Sequence, residues 1–161
     1  MRSWKRGTAR VAMVVGLVTA GAVTVPGTAH AGTVWEIWNN YNGLFLDSDP
    51  NGNVYALSRQ NNKNQKWVER ANGLRSNVKT GRCLIESRNT RRDYRTVPCD
   101  SRDRNQRWTH VKHRGGVLIK NVGSGWCAGA SNTIDVGNAQ VLTPLICDPH
   151  DKMQLWSVRA I

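Results

Sequence analysis

A tripeptide that recurs three times constrains the fold of this chain more than any other feature. Glutamine, any residue and tryptophan follow one another at positions 65–67, 106–108 and 154–156. A second pattern, Asn-x-x-x-Gly, precedes each copy and begins at residues 39, 77 and 121. Both patterns recur at similar intervals, which indicates an internal repeat of about 40 residues, and such a period is typical of a fold built from equivalent units.

The segments between these motifs have the pattern of short β-strands. Residues 34–38, 117–119 and 140–142 are rich in β-branched and aromatic side chains, and turn-forming clusters such as residues 49–53 separate the strands. Three repeats of about four strands each predict an all-β fold of some twelve strands. We expect closure with threefold pseudosymmetry, because closure leaves no exposed sheet edge. Three propeller blades would also fit the length, but propellers usually have about four to eight.

The four cysteines fall into the same register as the repeats. Cys83 and Cys127 each follow a repeat glycine by two residues. Cys99 and Cys147 each precede a repeat glutamine by seven residues. Of the three pairings that four cysteines allow, the repeat selects Cys83–Cys99 and Cys127–Cys147, with one bridge inside each of the last two repeats.

The first repeat has neither cysteine. Phe45 and Ser58 occupy the matching positions, so both partners are absent together, as a paired function predicts. A metal site is the alternative use of the cysteines, but the sequence has no C-x-x-C motif.

The first 31 residues have the layout of a secretory signal peptide. Four basic residues precede an uncharged apolar run at 11–25, and a small-residue cleavage site follows at 29–31. A run of 15 residues is short for an uncleaved anchor, since a spanning helix needs about 20. We therefore expect a secreted protein, residues 32–161, that forms a single domain with repeats at about 34–70, 71–112 and 113–161.

These motifs together resemble the ricin B-type (R-type) lectin family, whose domains are β-trefoils of three pseudo-symmetric repeats. The resemblance covers residues 34–158 and implies a carbohydrate-binding, lectin-like module with a galactose-like sugar or polysaccharide as the default ligand. In the family, the motif tryptophan fills the core and the glutamine satisfies buried backbone groups. That structural role passes by resemblance to Gln65, Trp67, Gln106, Trp108, Gln154 and Trp156.

Sugar binding needs an aromatic face for the pyranose ring and a fixed carboxylate and amide that bridge neighbouring hydroxyls. The family places the Asp two residues after the first cysteine position and the Asn directly before the repeat glutamine. In the first repeat these positions hold Asp47 and Asn64, and Tyr55 or Tyr41 is the nearest aromatic platform. Asp47 has an alternative role as the cap of the turn at residues 47–50.

The other two repeats match the sugar-site pattern less well. The second has Ile85 where the Asp is expected, although Glu86 follows it and Asn105 is retained, so a second site is predicted there only as an alternative. The third repeat has Gly129 and Met153, and both polar partners are lost. The resemblance therefore ranks the first repeat ahead of the second and the second ahead of the third.

Positive charge is concentrated in the middle of the chain. Residues 59–120 contain 17 Lys or Arg against five acidic residues. The second repeat holds the arginines Arg82, Arg88, Arg91, Arg92, Arg95, Arg102, Arg104 and Arg107. Arginine suits forked contacts to carboxylate and phosphate, so an adaptor that binds an acidic protein or an anionic polymer is the alternative function. A solvated surface with Arg–Asp pairs such as Arg92–Asp93 is the simpler interpretation. Nucleic acid is a weaker prediction, since no aromatics alternate with these arginines.

Catalytic patterns are sparse. His110, His113 and His150 do not combine with a nucleophile motif, and the sequence contains no G-x-S-x-G, P-loop or H-E-x-x-H segment. The sequence therefore predicts a binding protein that is not an enzyme, uses no cofactor or metal, and has no membrane span after the signal peptide.

Overall fold

The computed structural model describes residues 32–88, 93–134 and 139–161 of the 161-residue chain. The expected signal peptide at residues 1–31 and the arginines Arg91 and Arg92 lie outside the described residues.

Each repeat contributes four strands to the described structure. The first repeat has β1 (Val34–Asn39), β2 (Phe45–Ser48), β3 (Val54–Leu57) and β4 (Lys66–Glu69). The second has β5 (Arg75–Asn77), β6 (Cys83–Glu86), β7 (Tyr94–Val97) and β8 (Trp108–His113). The third has β9 (Gly116–Asn121), β10 (Cys127–Ile134), β11 (Gln140–Leu145) and β12 (Trp156–Ala160). The all-β prediction with three repeats is confirmed.

Six of these strands close into an antiparallel barrel. Strand β1 pairs with both β4 and β12, β4 pairs with β5, and β9 pairs with both β8 and β12. A bridge between Leu74 and Arg107 joins the second repeat across the remaining gap. Closure pairs each repeat with its neighbour, so the chain ends meet through β1 and β12.

The other six strands form three hairpins at one end of the barrel, namely β2–β3, β6–β7 and β10–β11. The hairpins also contact one another, since Gln140 pairs with Ala56 and Asn53 pairs with Arg95. This arrangement of barrel and hairpin cap is the β-trefoil that the resemblance implies.

The three motif tryptophans lie in one shared core. Trp67, Trp108 and Trp156 are each 1% exposed or less and belong to a single cluster of buried apolar side chains. Each indole Nε1 donates to a backbone carbonyl on the hairpin of its own repeat; the distances are 2.9 Å, 3.0 Å and 2.8 Å. The motif thus satisfies a buried donor in the same way three times, which is what burial of a tryptophan N–H requires.

The Asn-x-x-x-Gly motif joins consecutive repeats. Asn39, Asn77 and Asn121 are buried, and each side-chain oxygen accepts from the backbone N–H two residues later. Each side-chain nitrogen donates to a carbonyl of the preceding repeat, in the short 3-10 segments Lys152–Gln154, Lys63–Gln65 and Arg104–Gln106 respectively. The repeat asparagine therefore locks one repeat onto the next around the barrel.

The predicted disulfides are confirmed. Cys83–Cys99 and Cys127–Cys147 each form a bridge inside one repeat. In the part of the chain that the structure describes, no helix is long and apolar enough to cross a membrane.

The structure corrects the position assigned to the second missing cysteine of the first repeat. The hairpin registers pair Phe45 with Leu57 and Cys83 with Val97, and each bridging cysteine follows the strand partner by two residues. The equivalent residue is therefore Arg59 and not Ser58. The segment between this position and the repeat glutamine is one residue shorter in the first repeat than in the other two. The Arg59 guanidinium carbon lies 5.7 Å from the centre of the Phe45 ring, so a cation–π contact replaces the disulfide.

Candidate functional site

The repeat glutamines support the region where each sugar site is expected. Gln65, Gln106 and Gln154 are buried at the ends of their 3-10 segments. In each, the amide oxygen accepts from a backbone N–H and the amide nitrogen donates to a backbone carbonyl of the loop after the hairpin. Because all three glutamines make these bonds, differences between the sites come from the residues around them.

In the first repeat, the structure brings Asp47 and Tyr55 together and covers the carboxylate. The two residues are direct cross-strand partners on β2 and β3, so they share a face of the hairpin. Asp47 is 1% exposed, and its Oδ1 has no hydrogen-bond partner among the described residues. Burial raises the pKa of Asp47, against hydrogen bonds to Gln65 and Tyr55 that lower it. Burial and the nearby Asp47 raise the pKa of Tyr55 to about 12.

Asn64 lines an open cleft that does not include Asp47. Its backbone N–H bonds to Asn62 Oδ1 at 2.9 Å, which begins the 3-10 segment, and its carbonyl accepts from Asn77. Asn62, Lys63, Asn64 and Lys79 line an open cleft of about 440 Å³. Asp47 does not line this cleft, although Gln65, the residue after Asn64, hydrogen-bonds to the Asp47 carboxylate.

Tyr41 lies beside the third repeat. It occupies the turn between β1 and β2 and is 53% exposed. Asn39 accepts from the Tyr41 backbone N–H and donates to the Met153 carbonyl at 2.7 Å, which ties this turn to the third 3-10 segment. The turn that carries Tyr41 is therefore bound to the 3-10 segment of the third repeat and not to the segment that contains Asn64.

In the second repeat, Glu86 and Asn105 line one cleft. Glu86 is 5% exposed, and its Oε2 accepts from Ser124 Oγ at 2.6 Å. Asn105 directs its amide oxygen toward the Arg88 guanidinium. Trp126 completes the same cleft, which has a volume of about 380 Å³. The cleft thus combines a carboxylate, an amide, a hydroxyl, a guanidinium and an indole.

Sequence reasoning missed Trp126 and Ser124. Both come from the third repeat, in the turn between β9 and β10, and the Asn121 hydrogen bond to the Asn105 carbonyl holds that turn against the second repeat. A usable signal was present, because Trp126 directly precedes Cys127 at a position where the other repeats have Leu44 and Arg82.

The third-repeat position is closed by packing. Gly129 stands where the first repeat has Asp47, and a Cβ on Gly129 would lie 2.5 Å from Leu145 Cδ1. Leu145 therefore packs against the position at which the first repeat has its carboxylate.

Comparison with models of known protein families assigns the chain to a family. The model of the ricin-type β-trefoil lectin domain matches residues 33–156. The chain belongs to this family. Ricin-type lectin domains are carbohydrate-binding domains, and their trefoil is the fold described above. No curated protein matches this ricin-type domain significantly.

Solved structures share the trefoil at low sequence identity. A designed threefold-symmetric protein, ThreeFoil, has a TM-score of 0.68 at 18% identity, covering 80% of this chain and 99% of its own. The ricin B-like lectin of Macrolepiota procera, solved in complex with lactose, has a TM-score of 0.68 at 16% identity, covering 81% and 96%. The hemolytic lectin CEL-III has a TM-score of 0.63 at 24% identity, and the match covers 81% of this chain but 31% of that protein.

The arginines of this ricin-type domain are mostly on its surface. Arg88, Arg95, Arg102 and Arg104 are exposed. Arg95 pairs with Asp93 at 3.2 Å, whereas Arg104 and Arg107 donate to backbone carbonyls. Arg95 stands at the position that Tyr55 has in the first repeat and lines a second cleft with Ile85, Arg88, Val97, Asp100 and Asp103, among others.

Proposed function

We propose that this protein is a secreted carbohydrate-binding module that acts by binding and not by catalysis. Membership of the ricin-type lectin family and the two disulfides, which form in oxidising compartments, support this proposal. The observation that carries it is the cleft in which Glu86, Asn105 and Trp126 converge.

The cleft has the chemistry that a pyranose requires. A buried carboxylate accepts strong, charge-assisted hydrogen bonds from sugar hydroxyls, and the Ser124 hydroxyl already occupies one of these directions at 2.6 Å. The Trp126 indole supplies an apolar surface. An open cleft with one aromatic wall favours weak binding to a single sugar, so multivalent ligands are expected to bind best.

The first-repeat residues Asp47, Tyr55 and Asn64 constitute a second proposed sugar site. Burial of Asp47 supports ranking this site below the Glu86 cleft, because Asp47 is 1% exposed and already hydrogen-bonds to Tyr55, whereas Glu86 lines an open cleft. Tyr41 belongs with neither site.

A specific observation also favours an anionic ligand as the second candidate function. Arg88 and Arg95 line the second-repeat cleft in which Ile85 stands at the Asp47 position, although Asp100 and Asp103 line it too and Arg95 pairs with Asp93. An acidic polysaccharide or an acidic protein surface would find two guanidinium groups there.

A glycan array with matched variants tests these functions. Glu86→Gln removes the charge at constant shape, and Trp126→Leu introduces the residue that the first repeat has at this position. We expect each to weaken a neutral-glycan signal by about tenfold or more, since a hydrogen bond to a charged group contributes about 1.5–3 kcal/mol.

The other outcomes are equally informative. A signal lost with Asp47→Asn but retained in both cleft variants would transfer binding to the first repeat. Binding of sulfated glycans only, weakened by salt and by Arg95→Thr (the third-repeat residue), would replace the lectin proposal with the anionic-ligand function. Absence of any glycan signal would overturn both.

A further inference from the structure

The second repeat places an arginine inside the barrel. Arg75 precedes the repeat asparagine by two residues, the position at which the other repeats have Ile37 and Ile119. Both isoleucines belong to the main core, and Arg75 is as buried as they are, at 1% exposure. A cation therefore stands in a layer that is otherwise apolar.

Several polar nitrogens at this end of the barrel, which lies away from the hairpins, have no partner. Arg75 Nε and Nη2, His110 Nε2 and Trp35 Nε1 are buried without a hydrogen-bond partner among the described residues. Buried donors in native proteins are nearly always satisfied, by protein, water or an ion. Of these side chains, Arg75 and His110 lie close enough to interact, and their unpaired nitrogens therefore indicate a bound acceptor.

The charge of Arg75 is only partly balanced within the protein. Its cross-strand neighbour Glu69 lies 3.8 Å away, which is longer than a hydrogen bond, and the Glu69 side chain is 44% exposed. A guanidinium in a low-dielectric interior is strongly unfavourable unless it is paired and hydrogen-bonded. A water molecule would satisfy an N–H group but would leave the charge only partly balanced by Glu69, which favours an anion as the acceptor.

The surroundings favour a small anion. Gly73 stands where the other repeats have Trp35 and Val117, and a Cβ there would lie 2.6 Å from the Trp108 carbonyl oxygen, so the Trp108 backbone occupies that position. His110 is close enough to Arg75 to feel its charge: burial, and then the Arg75 charge, lower the pKa of His110 to about 4. The titratable neighbours of Arg75 on β5 are therefore Glu69 on β4 and His110 on β8.

We propose that the barrel end formed by Arg75 and His110 binds one small monovalent anion of the halide class. The anion accepts hydrogen bonds from the Arg75 Nε–H and Nη2–H groups. It also accepts one from His110 when the imidazole carries its proton on Nε2. Glu69 competes with it for the same guanidinium. This site is independent of the carbohydrate clefts, because none of its residues lines them.

Thermal unfolding at constant ionic strength, with sodium chloride replacing sodium gluconate, tests the site. A ligand that binds only the folded state stabilises it, so we expect chloride to raise the Tm of the wild type by a few degrees, about 2–5 °C. Arg75→Ile, which installs the residue of the other two repeats, should fold and lose this response. Glu69→Gln should enlarge it, because the competing carboxylate is gone.

A second measurement locates the ion. Crystals soaked in sodium bromide should give an anomalous peak within hydrogen-bond distance of Arg75. An equal chloride response in wild type and Arg75→Ile would reveal a general salt effect and overturn the proposal. A response unchanged in Glu69→Gln, or a water without anomalous signal at Arg75, would also overturn it, whether or not Arg75→Ile folds.

Discussion

Single buried polar residues define both the repeat and its variations. Asn39, Asn77 and Asn121 make the same pair of side-chain bonds, and these bonds explain why the asparagine recurs with its glycine. By contrast, Asp47 and Arg75 are buried charges that occur in one repeat only. Buried charges reduce the stability of the fold unless they are paired. Proteins tolerate this cost mainly at functional sites, so these two residues are the places to look for function.

Asp47→Asn should make the protein more stable at neutral pH and little different in acid. The pKa of Asp47 is raised in the folded state above the ordinary value of 3.8, so its deprotonation disfavours folding. This penalty is absent below pH 3.8 and is complete above the raised pKa. We expect a gain on the order of 1 kcal/mol at pH 7, measured by thermal unfolding between pH 3 and pH 8.

Tyr55→Phe serves as the opposite control. It removes a hydrogen bond that lowers the pKa of Asp47, so it should destabilise the protein more at neutral pH than in acid. A difference between wild type and Asp47→Asn that stays constant with pH would contradict the burial of this carboxylate.

The hairpin of each repeat is closed in one of two ways, by a disulfide or by a cation–π contact. The second and third repeats join the first hairpin strand to the loop after the second by a disulfide. The first repeat uses Phe45 and Arg59 instead, and Phe45 also stacks on Trp38 at 5.6 Å. Arg59 and Arg159 both bind the buried carboxylate of Glu36. Burial acts to raise the pKa of Glu36, but the hydrogen bonds and charges of the two arginines hold this pKa below its ordinary value.

A third disulfide should form in Phe45→Cys/Arg59→Cys but not in Phe45→Cys/Ser58→Cys. The equivalent cysteines of the other repeats have Cα atoms 4.9 Å and 5.0 Å apart, within the range that a disulfide needs. Thiol titration of the unfolded, unreduced protein distinguishes the two variants. Two additional free thiols in the Arg59 variant, or a bridge in the Ser58 variant, would show that the hairpin register is wrong.

Stability of the whole molecule depends on closure of the barrel by its first and last strands. Strands β1 and β12 pair over five residue pairs, so the repeats fold around a common core and not as a linear array. The bridges close loops with sequence separations of 16 and 20 residues, and both lie within single repeats. They stabilise each repeat chiefly by restricting its unfolded chain.

Removing the two bridges should therefore have nearly additive effects. We expect Cys83→Ser/Cys99→Ser and Cys127→Ser/Cys147→Ser each to lose about 3 kcal/mol of unfolding free energy, measured by urea denaturation. A reductant should lower the Tm of the wild type and leave the variant without either bridge unchanged. No effect of the reductant on the wild type would mean that the bridges do not stabilise the fold.

The amino-acid sequence determined the architecture of this protein. The threefold period of Gln-x-Trp and Asn-x-x-x-Gly specifies equivalent units, and the cysteines inside that period specify their own partners, because both signals are local to one repeat. The sequence paired Glu86 with Asn105, and the tertiary structure decided which other side chains complete the sites. Glu86 accepts a hydrogen bond from Ser124, 38 residues later, and Asn39 binds both the Tyr41 N–H and the Met153 carbonyl near the other end of the chain. Arg59 occupies the position of a cysteine because the first repeat is one residue shorter. Such contacts arise only when closure brings neighbouring repeats together, and no pattern within a single repeat encodes which side chains then share a cleft.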